Sequence, residues 1–235
     1  MTPVVMQHAR RRHPGAVPTL SSAVFTSAAV VVLGVKPVGI AALAREISGS
    51  LSPDTIVVSV AAAVSLEQLE AALPAGQPVI RAMPNTPARL GRGVVSVSAG
   101  KHCSAEQLQQ AKDIFAAVGT VVEIPEEQVD ALSAISGSGP AYAFYLAEAM
   151  AAAGAELGLD PELSLLLARE TVAGAGLMLA EPGADPAALR KAVTSPSGTT
   201  ERAIATFDER GLPAIIADGA RAAAERAAEI TKQLG

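Results

Sequence analysis

The sequence predicts an α/β domain over residues 1–125 followed by an all-α domain over residues 126–235. Three observations carry that reading. Short apolar runs alternate with amphipathic ones between residues 28 and 124. The grammar changes after Pro125, and from Val129 to Leu234 no segment reads as a strand. Apolar strands alternating with helices imply a parallel sheet covered on both faces.

Each element can be justified in chain order. "AAVVVLGV" (28–35) is strand-like and "GIAALAREI" (39–47) has helical spacing. "TIVVSV" (55–60) is again a strand, and "SLEQLEAAL" (65–73) a helix opened by a capping box from Ser65 to Gln68. "PVIRAM" (78–83), "VVSVS" (94–98) and "VVEI" (121–124) complete the strands. A second capping box, Ser104 with Gln107, precedes "LQQAKDIFAAVG". Beyond Pro125 come alanine- and leucine-rich helices punctuated by Gly and Pro. The segment Tyr142–Ala153 is apolar on nearly every side, so it must be buried. It is either the central helix of a thin bundle or a helix covered by a second copy of the chain. The second is favoured, since closed twofold dimers are the commonest oligomers.

Composition excludes several function classes. Half of the 235 residues are hydrophobic, 17% are charged, and the mean hydropathy is +0.35, too apolar for a disordered chain. A net charge of −5 speaks against a nucleic-acid surface, and Arg10–Arg12 is too short a cluster to reverse that. The single cysteine, Cys103, allows no internal disulfide and suits a reducing cytoplasm. Ala23–Val35 follows those arginines as an export signal would, but it is valine-dense and ends in Lys36-Pro37, as a strand leaving a sheet does. Ala141–Ala155 is too short for a membrane span and carries Glu148 in its middle, so a soluble protein is expected. His8, His13 and His102 have no ligand spacing, and no metal is expected.

Chemistry concentrates in four places. Lys36-Pro37 and "RAMPNTPARLG" (81–91) both leave strands at their C-terminal ends, where open α/β sheets bind ligands. "SGSGPAY" (136–142) places Pro140 at a helix start and reads as a tight structural junction. "TSPSGTT" (194–200) packs five hydroxyls into seven residues at the start of another helix. One hydroxyl suffices for a cap. The surplus, with free N–H groups and the helix dipole, suits a carboxylate or phosphate.

Taken together, "VKP" (35–37), "RAMPNTP" (81–87), "SGSGPAY" (136–142) and "VTSPSGTT" (193–200) resemble the pyrroline-5-carboxylate reductase family over roughly residues 17–235. The last stands for the family's V-T-S-P-G-G-T-T. The resemblance implies a Rossmann-like dinucleotide domain followed by a helical domain for dimerisation and substrate binding, in a homodimer or higher homo-oligomer. It implies NADPH, or less often NADH, as cofactor, and reduction of 1-pyrroline-5-carboxylate to L-proline in proline biosynthesis. By the same resemblance Ser21, Val35, Lys36 and Pro37 line the dinucleotide, and Ala82, Met83, Pro84 and Asn85 lie by its nicotinamide end. Thr199, with Ser195 and Gly198 beside it, takes the substrate carboxylate. Thr200 hydrogen-bonds the ring nitrogen as the catalytic residue, and Glu126 matches a substrate-side acidic position. No nucleic acid and no membrane is implied as a partner.

Two departures from the family pattern carry expectations. Ser197 replaces the motif's first glycine, which costs backbone freedom if that residue has positive φ. The family also opens with a strand and a G-x-G-x-x-G-like turn that holds the pyrophosphate. No such turn occurs in this sequence, and "MTPVVMQHARRRHPGA" reads as a remnant of the second strand and its helix. A Rossmann-like sheet truncated in this way should have an unpaired edge and bare apolar surface. Two further readings stand beside the enzyme: a non-catalytic dimeric remnant that has lost cofactor binding, and another small reductase of similar plan. "TSPSGTT" and "SGSGPAY" speak against the latter, and an in-frame G-x-G-x-x-G segment upstream would separate the former.

Overall fold

A computed structural model of the chain describes residues 4–7 and 27–234. Among the described residues six strands form one sheet in sequential order: β1 (Val4–Gln7), β2 (Val30–Leu33), β3 (Ile56–Ser59), β4 (Val79–Pro84), β5 (Gly93–Ala99) and β6 (Gly119–Glu123). The helix α1 (Pro37–Ile47) connects β2 to β3, α2 (Leu66–Ala72) connects β3 to β4, and α3 (Ala105–Ala116) connects β5 to β6.

Alternation along the strands builds a core on each face of the sheet. Val31, Leu33, Val57 and Val79 pack with Ile40, Leu43 and Ile47 of α1 and Leu69 of α2. Val30, Val32, Ile56, Val58 and Ile80 face the other way, with Val95, Val97 and Leu108 of α3. A four-residue strand buried on both faces needs an unbroken valine-rich run, which is what "VVVL" supplies. Both expected capping boxes are present. The Gln68 and Gln107 N–H groups donate to the hydroxyls of Ser65 and Ser104, each at 3.2 Å, and the glutamine side chains accept in return at 2.9 Å.

The sheet corrects two expectations. It is not wholly parallel: β4 and β5 pair antiparallel, from Ile80 opposite Ala99 to Pro84 opposite Val95. Their connection is too short for the crossover that a parallel pair requires, so the chain turns straight back. Nor is β2 an unpaired edge. Val4–Gln7 lies parallel to Val30–Leu33 and occupies its backbone donors and acceptors. The helix expected after that strand, and Ser21, fall outside the described residues.

After β6 the described chain is helical: α4 (Val129–Leu132), a π-helical turn (Ser133–Gly137), α5 (Gly139–Glu156), α6 (Pro161–Leu179), α7 (Pro186–Ala192), α8 (Thr199–Glu209) and α9 (Leu212–Leu234). Two compact units result, one of the described residues up to Ser138 together with those from Arg221, the other Gly139–Ala220. Within the second, Asp160 and Asp185 cap α6 and α7 ahead of Pro161 and Pro186, each accepting two backbone N–H bonds. The all-apolar helix is not the centre of its own bundle. No residue of α5 is buried, and Phe144 and Tyr145 are 68% and 72% exposed. Among the described residues no helix is long and apolar enough to cross a membrane, and no cluster suited to a metal ion occurs.

Candidate functional site

Because β2, β3 and β4 run parallel, their C-terminal ends reach the same edge of the sheet. From β2 the chain passes through Val35 and exposed Lys36 into α1, with Pro37 at its first position and the Gly39 N–H closing on the Lys36 carbonyl at 2.8 Å. Proline there sacrifices no helical hydrogen bond. From β3 it passes through Ala62 and Ala63, the latter held at φ 60°, which a side chain makes costly. From β4 come buried Ala82, half-buried Met83 and Pro84, and then Asn85.

These ends enclose a cavity of about 450 Å³ within the first unit. Pro37, Ala62, Ala63 and Met83 give it apolar walls, Arg81 and Ser133 polar ones, and Arg226 and Ile230 of α9 also line it. The size and the mixture of surfaces suit an organic ligand. Of the residues expected to hold a dinucleotide, Pro37 and Met83 line this cavity. Val35, Lys36, Ala82, Pro84 and Asn85 belong to the same strand ends.

Glu126, expected on the substrate side, has two protein partners. Its Oε1 accepts from Arg81 Nη1 at 3.0 Å and from the Leu66 N–H at 2.7 Å, so it neutralises a buried arginine and caps the first turn of α2. Sequence reasoning missed Arg81, Ala62, Ala63 and Ser133. Arg81 had a signal, since an arginine inside the apolar run "PVIRAM" must find a partner when buried.

The hydroxyl-rich segment lies in the second unit. Helix α8 begins at Thr199 with Gly198 as its cap residue and no side-chain cap bond. The hydroxyls are therefore not consumed in capping. Thr194 instead donates to the Arg190 carbonyl at 2.7 Å, at the end of α7. Ser195 and Thr199 are exposed and Thr200 is half-buried. Ser197 has φ 60°, the left-handed conformation that a glycine would adopt freely, and its N–H donates to Glu201 Oε2 at 2.7 Å. The Gly198 N–H is taken as well, by the Ser195 carbonyl at 3.0 Å, so it is the first-turn N–H groups from Thr199 onward that offer the arrangement which binds carboxylates and phosphates.

Comparison with known proteins gives consistent matches. Residues 126–230 match the family model described as pyrroline-5-carboxylate reductase dimerisation. A pyrroline-5-carboxylate reductase of Pseudomonas aeruginosa is 44% identical over 207 residues, covering 88% of this chain and 76% of the relative. One from Corynebacterium melassecola is 43% identical over 206 residues, with 86% and 76% covered. Among solved structures, a pyrroline-5-carboxylate reductase from Coxiella burnetii superposes with a TM-score of 0.84 at 36% identity, over 90% of this chain and 80% of that one. A pyrroline carboxylate reductase from Plasmodium falciparum, solved with NADP bound, gives 0.79 at 25% identity, over 93% and 86%.

Proposed function

The chain belongs to the pyrroline-5-carboxylate reductase family, and on that premise we propose how its residues carry out the NAD(P)H-dependent reduction of 1-pyrroline-5-carboxylate to L-proline. Relatives that are reductases over most of this chain speak for the enzyme and against a non-catalytic remnant. The observation that carries the residue assignment is the cavity at the strand ends of the first unit. Its apolar walls and few polar groups fit a nicotinamide ring, and Val35, Lys36, Pro37, Ala82, Met83, Pro84 and Asn85, with Ser21, are assigned to the cofactor. The bound cofactor supplies the hydride. The chain's own residues orient the reactants and keep water from the reacting bond.

Substrate recognition is assigned to the start of α8. The carboxylate of pyrroline-5-carboxylate is placed on the N–H groups and hydroxyls around Ser195, Gly198 and Thr199. Thr200 hydrogen-bonds the ring nitrogen, which takes a proton from bulk solvent as the C=N bond is reduced. Glu126 acts through its ion pair with Arg81, a wall of the cavity. We assign residues 1–125 to the cofactor domain and 126–235 to dimerisation and substrate binding on the extent of the family match, although residues 126–138 and the chain from Arg221 pack within the first unit and help to line its cavity. The protein is a homo-oligomer, and we assign a dimer whose contact covers the apolar surface of α5 and α6. A cytoplasmic setting suits its single cysteine.

The test is steady-state oxidation of NADPH and of NADH with pyrroline-5-carboxylate, with product identified as proline. Turnover with neither cofactor would overturn the reading.

A further inference from the structure

We propose that Asn85 is a positioning residue, whose carboxamide clamps the π-helical turn Ser133–Gly137 to the end of β4 and so fixes one wall of the cofactor cavity; this rests on the assignment of that cavity to the cofactor. The Asn85 Nδ2 donates to the Ser136 carbonyl at 2.9 Å, and its Oδ1 accepts from the Val94 N–H at 2.9 Å. The orientation of the amide follows from its partners, because a carbonyl can only accept and a backbone N–H can only donate. Both ends of the side chain are thus engaged by protein.

The clamped segment needs support from outside. A π-helical turn is rare, and is frequently found at functional sites. Here its ring is closed by the Ser138 N–H on the Ser133 carbonyl at 2.8 Å. It is also tightly packed: a Cβ added to Gly137 would meet Ser133 Oγ at 2.9 Å and Met83 Cε at 3.5 Å. Ser133, Ser138 and Met83 all line the cavity. Asn85, 51 residues away in sequence from Ser136, therefore ties a wall-forming turn to the wall-forming strand.

Asn85→Asp tests this in the full chain. The aspartate keeps an acceptor for Val94 but sets an oxygen against the Ser136 carbonyl. Amide exchange at residues 133–138 of the unliganded protein should rise about tenfold or more. The kcat should fall about ten- to a hundredfold, as for a misplacement of catalytic geometry, and the NADPH Kd read by fluorescence should rise with it, because the loosened turn is a wall of the cofactor cavity. Exchange in α2 and α3 of the same variant should keep the wild-type rate, which a general loss of folding would not permit. Unchanged exchange at residues 133–138, a rise shared equally by α2 and α3, or an unchanged kcat beside faster exchange would each overturn the proposal. If the wild-type chain reduces no pyrroline-5-carboxylate, the functional reading fails, and the exchange measurements still decide the clamp.

Discussion

The guanidinium of Arg81 and the carboxylate of Glu126 meet at 3.0 Å, and the same carboxylate oxygen holds the first N–H of α2. Arg81 is 5% exposed, its Nε has no hydrogen-bond partner among the described residues, and it lines the cavity. A buried cation in that position is tolerable only beside its counter-charge. Arg81→Ala should therefore destabilise the protein by roughly 2–4 kcal/mol, from lost packing and an orphaned carboxylate. Glu126→Gln, which retains an acceptor for Leu66, should cost about 1–2 kcal/mol. Urea denaturation checks both, and equal losses would show that the charge of Glu126 is what matters rather than its acceptor.

Ser197 sits at φ 60°, a left-handed conformation that glycine adopts freely and serine does not. Ser197→Gly removes a left-handed strain of about 1–2 kcal/mol and adds back about 0.5–1 kcal/mol of unfolded-state entropy. The net expectation is a small rise in Tm with the N–H bond to Glu201 kept. A fall in Tm would mean that the serine hydroxyl makes a stabilising contact in the assembly.

Thr200→Val keeps shape and removes one hydroxyl. Since the α8 start has no side-chain cap bond, stability should change by no more than about 0.5 kcal/mol. Losing a hydrogen bond to a partly charged group costs about 1.5–3 kcal/mol, or roughly ten- to a hundredfold in kcat. Thr199→Val should mainly raise the KM for pyrroline-5-carboxylate, if its carboxylate contact is equal in ground and transition states. Kinetics beside thermal melts separate the two roles. An early-melting Thr200→Val with normal turnover would make the segment a structural cap.

Much of this was legible in the sequence, for physical reasons. Strands buried on both faces demand unbroken apolar runs, so 30–33 and 56–59 could be read directly, and the two Ser–Gln capping boxes mark helix starts by local chemistry alone. The φ of Ser197 was legible as a condition, because a glycine position in a tight turn predicts what its replacement must endure. Non-local pairing was not legible. Nothing near Asn85 in sequence reveals Ser136, nor does "VVMQ" announce that it will lie beside Val30–Leu33. The antiparallel turn after β4 could have been found from the shortness of its connection, which leaves no room for a crossover.

Burial pushes the Cys103 thiol above its ordinary range. Less thiolate then forms at a given pH, and alkylation by iodoacetamide at pH 8 should run slower than for free cysteine. The linkage has a definite sign. Stability from keeping this thiol neutral is present below the unfolded-state value and is lost as pH rises through the folded-state one. Cys103→Ser should accordingly flatten the alkaline limb of a stability–pH curve. An alkylation rate equal to that of free cysteine would contradict the shift.

The exposed faces of α5 and α6 carry Phe144, Tyr145, Leu166 and Leu167 at about half exposure or more. Surface of this kind rarely stays uncovered in solution. Light scattering should give a mass of at least two chains, and Leu166→Glu with Tyr145→Glu should yield monomer or aggregate. A folded, wild-type monomer would sink the assignment of this surface to a dimer.

The return of the chain from β4 to β5 also sets an order of events during folding. Every other neighbouring pair in the sheet waits for a longer stretch of intervening chain to be arranged, whereas β4 and β5 are joined by the eight residues Asn85–Arg92. Closing a short loop forfeits less chain entropy and is faster. The hairpin-like pair is therefore the expected early nucleus, with high φ-values at Ile80 and Val97 and low ones in β1. Met83, Pro84 and Asn85 would then be laid down first, and the later strands would assemble against a finished edge of the binding site.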